Sequence, residues 1–274
     1  MGWCKISKVV TEASPEECTL TRTEMAKRND ASMIVNLRKS LGLGMYQRTQ
    51  DLRKLKEYCD LLAYRFNDQM CSKIGMADLL AHAVGMSWQE PGSCVFMLSG
   101  RNEAGYRMEN ESWLSPVAVE IVQSLLDTHS MIAFELCDRF STLESSLSRL
   151  IFQLLEHNPG VVRKAQDWYM IESLIGRYES GQVDALSEVV LKIIDLQKEP
   201  VFIVLDRPDM SEEDSVKTYA STLLELVERT RGELKVLIVY RTEMWDLEKN
   251  KAGPVKKGLD SNLLRVLCMD QTRL

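Results

Sequence analysis

Three short stretches of this 274-residue chain carry residue types and spacings suited to phosphate chemistry. Gly100-Arg-Asn-Glu-Ala-Gly105-Tyr106-Arg107 follows an apolar run and has the glycine spacing of a phosphate-binding loop, G-x-x-x-x-G-K-[ST]. Glycines there let backbone N–H groups curl around an anion, a lysine meets the terminal phosphates, and a hydroxyl holds magnesium. Tyr106 stands at the lysine position and Arg107 at the hydroxyl position. Asp206 closes the apolar run Val201–Leu205, the pattern of a Walker B strand whose acid holds magnesium through water. Asp209 follows it, placed to orient an attacking water. Arg241 follows a third apolar run, Leu234–Tyr240, where a basic side chain can sense a terminal phosphate. The candidate contacts for ATP or ADP with magnesium are therefore Gly100, Gly105, Tyr106, Arg107, Asp206 and Arg241. Asp206 is the metal candidate and Asp209 the catalytic one. Each has a structural alternative: turn glycines, an aspartate capping its own loop, surface arginines.

Strands and helices must alternate to place these residues together. Cys94–Ser99, Met131–Cys137, Val201–Asp206 and Leu234–Tyr240 are short apolar runs that predict buried strands, and Leu263–Leu267 predicts a fifth. Between them lie helical patterns. One runs over Pro116–Leu126 with Ser115 as N-cap and proline at the first helical position. Another opens on a capping box, Ser141-Thr-Leu-Glu144, and runs to about Glu156. Two more cover Asp184–Lys198 and the stretch from Ser211 to about Arg231. This alternation predicts an α/β fold, a parallel sheet of about five strands flanked by helices. Ligands of such sheets bind at the carboxyl ends of the strands, where the three stretches above all fall.

Residues before the sheet read differently. Leu37, Leu41, Met45, Leu52, Leu55, Tyr58, Leu61 and Leu62 recur at three- and four-residue spacing, with Gly42 and Gly44 separating two helices. Met76–Val84 reads as a short third helix, and Gly85–Gly92 as a linker. The expected organisation is a flexible tail over 1–22, a helical prefix and linker over 23–92, and the α/β domain over 93–274. Met1-Gly2-Trp3-Cys4 nearly matches an acylation signal, with Gly2 and Cys4 as the modifiable positions, but Ile6 stands where Ser or Thr is required.

Composition narrows the function classes. A net charge of -6 and a pI near 5.3 argue against a general nucleic-acid surface. Residues 1–93 carry 13 basic and 11 acidic side chains and the rest 21 and 29, which places a boundary near residue 90. No apolar run approaches the roughly 20 residues needed to span a bilayer. Seven scattered cysteines without a Cys-x-x-Cys pair, and no apolar leader, predict a reduced, cytoplasmic protein. His82, His129 and His157 lie far apart in sequence, so a histidine metal site or triad is not expected.

The stretch from about 94 to 245 resembles the NACHT-type P-loop NTPases of the STAND class, especially those of fungal signalling proteins. The resemblance rests on Cys94–Gly100, on Phe140-Ser141 and Leu147-x-Arg149-Leu-Ile-Phe-Gln-Leu-Leu155 with Pro159, on Pro200–Asp206 and on Leu234–Arg241. It implies a P-loop fold and a signalling or self-association role through protein contacts. The departures from the family's pattern are chemical. Its lysine and hydroxyl are Tyr106 and Arg107, and its Asp-x-x-Asp-Glu is Asp206-Arg-Pro-Asp209-Met210. Losing those groups leaves little to neutralise a triphosphate. The leading expectation is a catalytically inactive P-loop domain with weak or no nucleotide binding. A nucleotide-switched NTPase with atypical motifs and an interaction module with no nucleotide role both stay open.

Overall fold

The computed structural model describes residues 32–68, 76–82, 88, 90–101, 112–161, 165–212, 216–242 and 253–270. Gly2, Cys4, Gly105, Tyr106 and Arg107 lie outside the described residues. Among the described residues there are five strands: β1 (Cys94–Arg101), β2 (Met131–Leu136), β3 (Val201–Asp206), β4 (Leu234–Arg241) and β5 (Leu264–Asp270). They form one sheet in the order β2-β3-β4-β1-β5, with every neighbouring pair parallel. The fold is α/β, a five-stranded parallel sheet flanked by helices.

The strands are apolar on both faces because both faces are covered. In β1, Phe96 and Leu98 face one cluster and Val95 and Met97 the other. Helix α4 (Ser115–Asp127) covers the first face and supplies Val117, Ala118, Ile121 and Val122. The second face is covered by α5 (Leu143–His157), α6 (Ala165–Glu179), α7 (Asp184–Asp195), α8 (Val216–Arg229) and α9 (Gly253–Asp260). The chain leaves β1 toward β2 on the α4 side and returns through β3 and β4, then crosses to β5, on the other. That satisfies a single crossover hand. The direction reverses at β1, so the crevice beyond the carboxyl ends of β1, β4 and β3 is a topological switch point.

Helix α6 is absent from the sequence-based expectation. Its buried face is Trp168, Ile171 and Ile175, and the exposed apolar neighbours Tyr169 and Met170 blur the period. The capping box of α5 is one residue later than the Ser141–Glu144 reading. Thr142 accepts from the Ser145 amide, and Ser145 returns the bond to the Thr142 amide. Ser141 instead donates to Asp138, within the turn that precedes the cap.

The prefix contains α1 (32–40), α2 (Arg48–Asp68) and α3 (Met76–Ala81). Gly42 and Gly44 between α1 and α2 both adopt positive φ, +69° and +53°, which explains glycine at the break. Leu37 and Leu41 join the cluster on the α5–α9 face, whereas Leu55 and Leu79 join the α4 face. The prefix therefore wraps from one face of the sheet to the other, past the edge strand β2.

Candidate functional site

Asp206 is the last residue of β3 and is almost fully buried, at 2% exposure. Its backbone is fixed on both sides: its carbonyl accepts from the Cys137 amide, and the next amide, of Arg207, donates to the Val239 carbonyl. The carboxylate is then held by side chains. Ser115, the first residue of α4, donates its hydroxyl to Asp206 Oδ1 at 3.0 Å. The phenol of Tyr58, from α2, favours the ionised form of the carboxyl group. Burial pushes the Asp206 carboxyl up to about 7, against the opposing Arg207 charge, the Ser115 bond and the Tyr58 phenol.

Ser115 does not cap α4 with its side chain, as the sequence suggested. The residue at the N-cap is Leu114, and no side chain caps the helix. The hydroxyl instead goes to a strand 91 residues away, and the helix start relies on Pro116, which lacks the N–H that would need a partner. Trp113 and Leu114, both at 0% exposure, bring apolar groups to the same place. A Cβ added at Gly100 would stand 2.8 Å from Leu114 Cδ1 and 2.9 Å from Trp113 Nε1. Gly100 thus lies near the end of β1, under the indole and the leucine. Gly100→Ala is expected to destabilise the fold by about 1–3 kcal/mol, the usual cost of overpacking. Urea unfolding of the two proteins checks it.

Past Asp206 the chain turns through Arg207 in the left-handed region, at φ +62°, into a short 3-10 turn over Pro208–Met210. Arg207 and Asp209 form a buried bidentate pair: Nε reaches Oδ1 at 3.0 Å and Oδ2 at 3.1 Å, and Nη2 reaches Oδ2 at 2.9 Å. Both Asp209 oxygens are thereby engaged by its own turn.

A second polar cluster lies beside it, at the outer edge of β2. Glu135 pairs with Arg149 of α5. Gln153 bonds both edges of the Phe134 peptide, accepting from its N–H at 2.9 Å and donating to its carbonyl at 2.8 Å. It thus covers the free edge of the sheet. The same amide donates to Asp51 Oδ2 at 2.9 Å and contacts the Tyr46 hydroxyl, which also bonds Asp51. Burial raises Glu135 to about 7 and Asp51 to about 6, in both cases against the Arg149 charge.

The sequence-predicted residues that are described do share one edge. Gly100 pairs in register with Arg241 and Asp206 with Val239, so Gly100 and Asp206 flank β4. The Thr242 amide donates to the Gly100 carbonyl at 3.1 Å. The residues that sequence reasoning missed are Ser115, Trp113, Leu114, Tyr58 and Glu135. Glu135 carried a signal, as the sole charge in the apolar run Met131–Cys137. Ser115 carried one too: a hydroxyl opening the first described helix after β1. Tyr58 carried none, because its partner is remote in sequence.

Ser115 and Asp206 together have the donor chemistry of a hydrated magnesium site. Trp113 and Leu114 beside them do not suit a triphosphate, which needs cationic or backbone N–H donors. Among the described residues no cluster of three or more His, Cys, Asp or Glu side chains is arranged to hold a metal. No helix among them is long and apolar enough to cross a membrane.

The family model described as Nephrocystin 3, N-terminal, matches residues 77–241, from α3 to the end of β4. The chain belongs to the nephrocystin-3 N-terminal family. The match takes in β1, α4, β3 and β4, and so the described strand ends of the site, while α2 of this nephrocystin-3 N-terminal chain precedes it. No curated protein matches the sequence. A solved structure titled Drosophila ORC bound to poly(dA/dT) DNA and Cdc6 contains a similar chain, at 13% identity and a TM-score of 0.37, over 98% of this chain and 36% of that one. The chain spans about a third of the length of that protein.

Proposed function

We propose that this is a NACHT-like P-loop domain of the STAND class, of the fungal signalling type, that has lost phosphoryl transfer and acts through protein contacts. The observation that carries the reading is the closed Ser115–Asp206 bond with Leu114 buried beside it. Ser115 opens the helix after β1 and meets the strand-end acid, so it stands where a magnesium-binding hydroxyl belongs. The residue before it is then the lysine position, and there the chain has leucine. This alignment replaces the assignment of Tyr106 and Arg107 to the lysine and hydroxyl positions. Asp209 supports the same reading, since a base tied twice to Arg207 is poorly placed to orient water. Gly100 and Arg241 keep their strand-end positions as remnants of a phosphate site.

Retention of Ser115 and Asp206 favours a second reading, a nucleotide-binding switch without hydrolysis. Thermal unfolding separates the two. With millimolar ATP or ADP and magnesium the melting temperature is expected to move by less than about 1 °C, because a ligand at one hundred times its dissociation constant adds about 2.7 kcal/mol and this site should stay far below that. Phosphate release should match buffer. A shift of several degrees that Asp206→Ala removes supports the switch, and magnesium-dependent turnover overturns both readings.

A further inference from the structure

A buried seam joins the prefix to the edge of the sheet, and its charges do not balance. Asp51, in the first turn of α2, and Glu135 of β2 are both buried. Gln153 of α5 donates to Asp51 Oδ2 at 2.9 Å, and the Tyr46 hydroxyl bonds the same oxygen. Glu135 is paired with Arg149, whose guanidinium lies 6.0 Å from the centre of the Tyr46 ring. Two carboxyl groups thus meet one guanidinium in a single seam. The other charges acting on Asp51 are Lys54 of α2 and Glu156 of α5, both exposed. With one proton on the carboxyl pair the buried groups are neutral. Without it a negative charge is left over away from water, which a protein interior tolerates poorly.

We propose that this seam is a proton-operated latch, which holds the start of α2 against the β2 edge while the carboxyl pair keeps one proton and releases it once both are ionised. Release carries Asp51 into water and leaves Glu135 and Arg149 as a balanced pair. Gln153 keeps its two bonds to the Phe134 peptide, so the sheet edge stays covered when α2 moves. Gly42 and Gly44, both at positive φ, supply the bend between α1 and α2, and Leu37 and Leu41 keep α1 on the opposite face of the sheet. The direction of the pH effect follows from burial. Seated, Asp51 is lifted to about 6, against the Arg149 charge; in water a carboxyl of this kind stays near about 4. The seated form therefore binds more protons, and seating weakens as the pH rises from about 4 to about 6. The latch does not depend on whether the strand-end site binds nucleotide.

The test is hydrogen exchange of the full chain at about pH 5 and about pH 7, each rate divided by that of an unprotected amide at the same pH. Opening of residues 48–58 is expected to rise about tenfold between the two, as a proton held with a pKa of about 6 is lost. Strands β1 and β4 should exchange more slowly than 48–58 at both values, because they open only with the whole fold. Asp51→Asn keeps a hydrogen-bond acceptor and removes the proton, and it should cut the change over 48–58 to less than about threefold. Glu135→Gln leaves Arg149 to Asp51 alone, which favours the ionised carboxylate and should move the rise to lower pH. A parent that opens equally at both values, or a full-sized change in Asp51→Asn, overturns the latch. So does exchange over 48–58 that merely matches β1 and β4, since α2 would then leave only as the domain unfolds. Should Asp51→Asn fail to fold, Glu135→Gln decides, and a rise that stays at the parent's pH overturns the latch.

Discussion

Asp209→Ala is expected to lower stability by about 3–5 kcal/mol, the penalty for leaving one half of a buried ion pair alone. For a chain of this size that is a fall in melting temperature on the order of 10 °C. Arg207 and Asp209 have side-chain exposures of 2% and 0%, so removing the carboxylate strands a guanidinium away from water. A residue kept to orient water in a crevice would behave otherwise, with activity lost and stability little changed. Asp209→Asn should fall between, since its amide oxygen still accepts one bond from Arg207. Replacing both partners, Arg207→Met with Asp209→Leu, should recover much of the loss, because apolar pairs of similar volume are often neutral in such positions. A double variant as unstable as Asp209→Ala would mean that the turn, not the charge, is what matters. Arg207 makes that question pointed, since its positive φ of 62° is a conformation that side chains with a Cβ seldom adopt.

The fold was readable because continuous apolar runs between helical patterns admit few architectures. Cys94–Ser99, Val201–Asp206 and Leu234–Tyr240 each lie within a strand that the structure contains. Helix α6 escaped because three buried residues in fifteen, Trp168, Ile171 and Ile175, give a weak period. The order β2-β3-β4-β1-β5 was not readable either, since a chain that alternates strand and helix leaves the permutation of strands to tertiary packing.

The site divides along the same line. Gly100, Asp206 and Arg241 could be picked out because each closes or follows an apolar run, and parallel strands bring such ends to one edge. The partner of Asp206 could not. Ser115 before Pro116 has the local signature of an N-cap, and the tertiary bond to Asp206 overrides it. Glycine spacing at Gly100 and Gly105 directs the sequence reading to Tyr106 and Arg107, which lie outside the described residues. Distance in sequence hid Tyr58 altogether.

Stability is expected to fall as the pH rises from about 4 to about 7, opposite to the trend of a protein held together by ionised carboxylates. Burial lifts Asp206 from 3.8 to about 7 in the folded state, despite the nearby Arg207 charge and the hydrogen bond donated by Ser115. Glu135 rises likewise to about 7 and Asp51 to about 6. Between the unfolded and folded values the folded protein binds more protons than the unfolded chain, so raising the pH drains stability until the folded carboxyls have ionised. For Asp206 alone the effect is on the order of 4 kcal/mol, from about 1.4 kcal/mol for each tenfold gain in proton affinity on folding. Asp206→Asn removes this proton while keeping an oxygen for Ser115 and a polar group for Tyr58. The variant should therefore show a flatter profile of melting temperature between about pH 4 and about pH 7, the span between the unfolded and folded values. It should also be more stable than the parent at the upper end. A parent profile that rises over this range, or one that Asp206→Asn leaves unaltered, would mean that the Asp206 carboxylate stays ionised at the strand end. The carboxylate would then be charged and ready for a cation at neutral pH. A flattened profile means that near neutrality the carboxyl is about half protonated, so a metal would have to displace a proton as well as the Ser115 hydrogen bond.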